Sequence, residues 1–230
     1  MKVLFLTRRF YPDIGGVEKH VLEVSKRLIE RGHDVTVIAE NYHSIHQSDT
    51  QYIKSKQPVK SIQNDDFVVE KIKVYRIYGG RDNWFKKFRI WLGMWELINV
   101  VRDADIIHCH DVFFWYLPFK FLFPRKKNFT TFHGFERYPV KKREILVRKV
   151  SEFLSRGTIS VGSFIKKWYG TNSDYIIYGG VDVPRKAKKI NAPKAIFFGR
   201  LEKGSGFETY LAAQNLIKKK IPNFSLEVVN

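Results

Sequence analysis

The residues best placed to do chemistry begin at Pro12-Asp13-Ile14-Gly15-Gly16-Val17-Glu18-Lys19. An apolar run, Val3-Leu4-Phe5-Leu6, precedes this segment, and an amphipathic stretch from about Val17 to Glu30 follows it. A strand, a Gly-Gly loop and a helix in that order let backbone N–H groups approach an anion closely. With no Cβ at Gly15 or Gly16, a phosphate or sugar fits against the loop. The helix dipole adds roughly 0.3–1 kcal/mol per charge there. The segment matches neither G-x-G-x-x-G nor G-x-x-x-x-G-K-[ST], so the usual dinucleotide and P-loop readings fail. A second group is His108, His110 and Asp111. His-x-His on a strand puts both rings on one face, as chelation needs. No thiolate stands at zinc spacing, however, so these residues are read as lining a strand's carboxyl end rather than as metal ligands.

Positioning such groups takes a regular scaffold, and the hydrophobic pattern supplies one. Strand-like runs at Val3–Thr7, Val35–Ala39, Val68–Tyr78, Ile106–His110, Phe129–Phe132, Thr158–Val161 and Tyr175–Ile177 alternate with helical stretches. The helices are expected at Val17–Arg31, Trp84–Val101, Val140–Leu154 and Phe164–Tyr169, with a short helix or loop at Phe113–Phe123. This order predicts an α/β fold, an open parallel sheet with helices on both faces. Ligands collect beyond the carboxyl ends of such strands. From Val183 to Pro193 the chain turns Pro-, Lys- and Ala-rich, which reads as a linker. A strand at Ala195–Phe198, a helix near Phe207–Lys219 and a strand at Leu226–Val229 follow it. The expected organisation is therefore residues 1–182, a linker at 183–193, and an unfinished second α/β domain at 194–230.

A hydrophobic content of 44% is ample for a packed core and excludes global disorder. The formal net charge of +18 calls for an anionic partner: nucleic acid, acidic lipid headgroups or phosphorylated small molecules. No RNA- or DNA-reading motif accompanies the charge, so nucleic acid is set aside. Trp84, Phe88, Trp91 and Trp95 share a helical face beside Lys86, Lys87 and Arg89, as in a helix lying on an anionic membrane surface. Packing of that face against the sheet is the alternative. Lys141-Lys142-Arg143, Arg148 and Lys149 read as a solvated helix face. The lone Cys109 suits a reducing compartment. No apolar run approaches the ~20 residues of a spanning helix. A cytoplasmic chain, peripheral on a membrane, is the expected setting.

Several segments line up in order with one family. They are V-L-F-L-T-R-R-F-Y-P-D-I-G-G-V-E, R-G-H-D-V-T-V-I-A, A-D-I-I-H-C-H-D, T-T-F-H-G-F-E, Y-G-G-V-D and F-F-G-R-L-E. Together they resemble glycosyltransferase family 4, retaining enzymes of the GT-B fold. The resemblance implies two Rossmann-like domains, a nucleoside-diphosphate sugar as donor, a carbohydrate or lipid-linked acceptor, and neither metal nor cofactor. It implies that Gly15 and Gly16 lie against the donor diphosphate and sugar, and that His133 is the catalytic residue near the transferred sugar. Arg200, with Lys203 nearby, would neutralise the leaving diphosphate. Asp13, Glu18, His110, Asp111 and Glu136 would line the acceptor side of the cleft.

The chemistry agrees with those roles. Breaking a glycosyl–phosphate bond puts negative charge on the diphosphate, which guanidinium and N–H groups can meet without a metal. Two departures from the family pattern stand out. Ser205 occupies the place of a lysine, and residue 230 falls short of the family's paired glutamates. The expectation is a hexosyltransferase-type enzyme, the present chain lacking most of its donor site. The alternative is a non-catalytic module for anionic carbohydrate or membrane.

Overall fold

Alternation along the first strand sets up both faces of the sheet. In β1 (Lys2–Thr7), Val3 and Phe5 face one side, Leu4 and Leu6 the other, and all four are buried. Val3 and Phe5 join Val21 of α1 (Gly16–Glu30) and Val35, Val37 and Ala39 of β2 (Asp34–Glu40) in one core. Leu4 and Leu6 join Ile38 and the helices of the opposite face in a second core. Burial on both sides is why these strands read as nearly continuous apolar runs. In this computed structural model the described residues are 1–11, 13, 15–40, 72–80, 83–134, 139–180, 193–199, 201 and 205–229.

The sheet is completed by β3 (Lys73–Ile77), β4 (Ile106–His110), β5 (Lys127–Phe132), β6 (Gly157–Ser160) and β7 (Tyr175–Ile176). Its order is β3-β2-β1-β4-β5-β6-β7, and every pairing is parallel. The connections run through α2 (Lys86–Glu96), α3 (Ile98–Asp103), α4 (Phe113–Leu122), α5 (Lys142–Leu154) and α6 (Phe164–Tyr169). This is the α/β fold that the hydrophobic pattern predicts.

One expected helix is divided. The periodic stretch from Trp84 to Val101 breaks at Leu97, whose N–H closes α2 on the Met94 carbonyl at 3.1 Å. The Leu97 carbonyl then opens α3 by accepting from the Val101 N–H at 3.2 Å. Neither Pro nor Gly marks the break. The expected loop at 41–66 and nearly all of the linker lie outside the described residues.

The chain divides into two units, Met1–Gly180 and Val181–Asn230. In the second, β8 (Lys194–Phe198) and β9 (Ser225–Val229) pair in parallel, joined through α7 (Phe207–Lys218). Phe197 packs against Phe207 and Tyr210, whereas Phe198 is 84% exposed. One helix on two strands covers one face only. Among the described residues no helix is long and apolar enough to cross a membrane.

Candidate functional site

The chain winds outward from β1 in both directions, so a crevice opens beyond the carboxyl ends of β1 and β4. In register, Thr7 of β1 stands beside His110 of β4, and His110 beside Thr131 of β5. The loop after β1 is held by a residue that sequence reasoning does not single out, Arg76 of β3. Its guanidinium donates to the carbonyls of Phe10 (3.1 Å), Tyr11 and Glu40 (3.3 Å). Asp13 lies near enough to stabilise that cation, and its N–H donates to the Phe10 carbonyl at 3.3 Å.

Gly15 opens α1 in extended backbone that any residue adopts, with φ at −177°. Its contribution is space, because a Cβ there would stand 2.3 Å from Glu18 Oε2. Glu18 is therefore folded back on the helix start, where a carboxylate is favourable. Gly16 differs. A Cβ on it would meet nothing within 4 Å, so the start of α1 is open where a ligand would approach.

His133 follows β5 and is held from two sides. Its backbone N–H donates to the Asp111 carboxylate, at 3.1 and 3.2 Å from the two oxygens. Asp111 has φ of 58° and, among the described residues, is the one non-glycine residue with positive φ. Aspartate is among the few side chains that enter that region readily. Its carboxylate in turn faces Arg148 Nη2 at 3.3 Å. Arg148 also donates to the Gly134 carbonyl and lies 3.9 Å from the centre of the Tyr169 ring. This corrects the expected solvated face on α5: Arg148 is buried, because carboxylate, carbonyl and ring replace its water.

The His133 ring meets other histidines. His110 Nδ1 and His133 Nε2 are 2.8 Å apart, and the His20 ring from α1 packs edge-on at 5.0 Å. His108 Nε2 is 2.8 Å from Thr131 Oγ1. Burial lowers the pKa of His108 to about 4 and of His133 to about 3, with neighbouring histidines adding and Arg148 acting on His133. Burial likewise holds His110 well below its ordinary value and lowers His20. All four are neutral at pH 7.

The tautomers follow from what is left unpaired. His110 Nε2 is buried with no partner among the described residues. An orphaned buried acceptor is more readily tolerated than an orphaned N–H. The proton of His110 is accordingly on Nδ1, donated to His133 Nε2, and His133 keeps its own proton on Nδ1. That Nδ1–H has no partner among the described residues, and it is a neutral donor available to a ligand.

One nitrogen from each of His20, His110 and His133 lies within 4.8 Å of the others, and neutral imidazoles are zinc ligands. The His110–His133 hydrogen bond puts two of these rings to another use. The sequence-adjacent cluster of His108, His110 and Asp111 is not one group: His108 turns to Thr131, and Asp111 to His133 and Arg148. His20 and Arg148 escape a sequence reading because each sits in a helix whose periodicity explains it as surface. Arg200, Lys203 and Glu136 lie outside the described residues.

Residues 14–185, well over half of the chain, match Glycosyltransferase Family 4. The chain belongs to glycosyltransferase family 4. This family 4 chain is 28% identical over 101 residues to the phosphatidylinositol N-acetylglucosaminyltransferase gpi3 subunit of Schizosaccharomyces pombe, covering 44% of the chain and 19% of that protein. It is 52% identical over 33 residues to a phosphatidylinositol N-acetylglucosaminyltransferase of Homo sapiens, covering 14% of the chain and 7% of that protein. The match therefore spans less than a fifth of either relative.

Among solved structures, TarM superposes with a TM-score of 0.63 at 8% identity, over 99% of this chain and 71% of its own. An alpha-glucosyltransferase in complex with UDP and a 13-mer DNA gives 0.52 at 15% identity, over 96% and 55%. The likeness is one of fold, of GT-B type.

Proposed function

We propose that this chain carries the acceptor-side domain and the opening of the donor-side domain of a retaining, metal-independent glycosyltransferase. It moves a sugar of the hexose type from a nucleoside-diphosphate donor to a carbohydrate or lipid-linked acceptor on the cytoplasmic side of a membrane. The observation that carries this reading is the construction around His133. A strand-end histidine is fixed through its backbone by Asp111, kept neutral by burial, and given a free Nδ1–H by its bond to His110. Such a group donates a hydrogen bond to a sugar hydroxyl without adding charge beside a ring that becomes positive as the bond breaks.

The remaining parts have defined tasks. The open backbone at Gly16 and the start of α1 receive the diphosphate. His20 packs on His133, which puts the start of α1 and the end of β5 at one edge. Arg200, with Lys203, neutralises the leaving group from the second unit. Asp13, Glu18 and Glu136 belong to the acceptor side, where Asp13 and Glu18 act by holding the loop after β1. Two relatives are named for transfer of N-acetylglucosamine to phosphatidylinositol, which makes UDP-N-acetylglucosamine and an inositol lipid the first pair to try.

The test is transfer itself, using labelled nucleoside-diphosphate sugars and the full reading frame that contains these 230 residues. Product with the donor's anomeric configuration, formed in the presence of a chelator, supports the reading. Binding of sugar or lipid with no transfer would assign the fold to a non-catalytic module instead.

A further inference from the structure

The face of the sheet covered by α2, α4 and α5 carries apolar side chains that the core does not use. α2 buries Ile90 and Met94, yet Trp84, Leu92 and Trp95 stand out from it, Trp84 at 70% and Leu92 at 68% exposure. α4 packs between α2 and α5 and ends with Phe121 exposed. α5 repeats the pattern: Leu146 and Phe153 stand two turns apart, Phe153 at 85% exposure. Isolated exposed apolar residues are ordinary, but stripes on adjoining helices are not.

A groove of about 560 Å³ lies at the N-terminal turns of these helices, lined by Trp84, Phe88, Trp91, Phe114, Lys87 and Arg143. Lys87 Nζ sits 4.3 Å from the centre of the Phe114 ring. Among the described residues neither Lys87 nor Arg143 pairs with a carboxylate. Partial burial, and then the facing Arg143 charge, lower the Lys87 pKa, so two cations meet here without a counter-ion.

We propose that this groove and the stripes beside it dock the protein on an anionic phospholipid bilayer, with a headgroup phosphate held between Lys87 and Arg143. Tryptophan settles at headgroup depth, and lysine and arginine meet the lipid phosphates. The net charge of +18 complements such a surface. A nucleic-acid duplex would meet the cations but leave Leu92, Phe121 and Phe153 in water. A soluble phosphate ester would fill the groove and leave the same stripes bare.

The docking surface adjoins the site. Arg143 also lines a second cavity, of about 300 Å³, whose walls include Asp111 and Arg148. A lipid held at Lys87 and Arg143 is thus next to the groups that fix His133. The docking is independent of glycosyl transfer, since vesicle binding can hold where transfer fails.

The experiment is co-sedimentation with phosphatidylcholine vesicles, with and without phosphatidylglycerol, for the wild type, Lys87→Gln/Arg143→Gln, and Phe153→Ser. Circular dichroism checks the fold of each variant. Binding should require phosphatidylglycerol, weaken with salt, and fall about fivefold per cation removed. Phe153→Ser should also weaken it, and Trp emission should shift to shorter wavelength on anionic vesicles. Equal binding to neutral vesicles, no change in Lys87→Gln/Arg143→Gln, or competition by duplex DNA or soluble inositol phosphate as strong as that of the vesicles would each overturn the proposal.

Discussion

Asp111 and His133 are joined across the ends of two neighbouring strands: both carboxylate oxygens of one lie within 3.2 Å of the backbone N–H of the other. Asp111 adopts φ of 58° to reach this position. The bond fixes where β5 ends and so where the His133 ring stands. Replacing Asp111 with alanine removes a charged acceptor and leaves a less suitable residue in the left-handed region. The expected loss is about 2–4 kcal/mol of stability. Asn, which enters that region readily and keeps one acceptor, should recover more than half of it. Urea unfolding of Asp111→Ala and Asp111→Asn decides this, and equal midpoints for the two would contradict it.

Gly16 permits a prediction in which stability and activity move in opposite directions. A methyl group at Gly16 meets nothing in the protein and improves a helical position, so Gly16→Ala should stabilise by up to about 1 kcal/mol. The same methyl occupies the approach to the open N–H groups, and donor affinity should fall. Thermal unfolding and donor KM measured on one preparation check both signs. A stabilised variant with unchanged KM would remove Gly16 from the donor site.

The histidine cluster predicts an acid-sensitive fold. His133 has a native pKa of about 3 and His108 of about 4, against roughly 6.5 in the unfolded chain. Between those values the unfolded state binds more protons, so stability rises with pH. The contribution is complete above about pH 6.5 and is lost as pH falls toward 4, at up to about 1.4 kcal/mol per pH unit for each histidine. His108→Gln should flatten the slope of stability against pH across that window. An unchanged slope would mean His108 is protonated in the native state.

Arg148 supplies a packing test. It is buried among Asp111, Gly134 and the Tyr169 ring, where a planar guanidinium serves all three at once. Arg148→Lys keeps the charge but loses the fork and the stacking. It should cost about 1.5–3 kcal/mol and slow transfer by displacing the loop after His133. Loss of stability without any change in transfer would make Arg148 purely structural.

The strands and most helices were legible because burial on both faces of a parallel sheet writes long apolar runs such as Val3–Leu6 and Val35–Ala39. The break at Leu97 was not, since it rests on backbone hydrogen bonds that leave no Gly or Pro behind. At the site, Gly15, Gly16, His110, Asp111 and His133 were legible as strand-end or loop residues of suitable chemistry. Their partners were hidden. His20 and Arg148 come from helices, and only the order of strands brings those helices to the ends of β4 and β5. Arg76 stayed unread for the same reason, as its role depends on β3 lying beside β2.

The most direct test of the account is the rate of sugar transfer by His133→Ala against wild type, in the full reading frame and at matched stability. The account predicts product of retained anomeric configuration from the wild type, and a drop of about 10- to 100-fold in kcat/KM when the donated hydrogen bond is removed. Transfer at the wild-type rate by His133→Ala would contradict it.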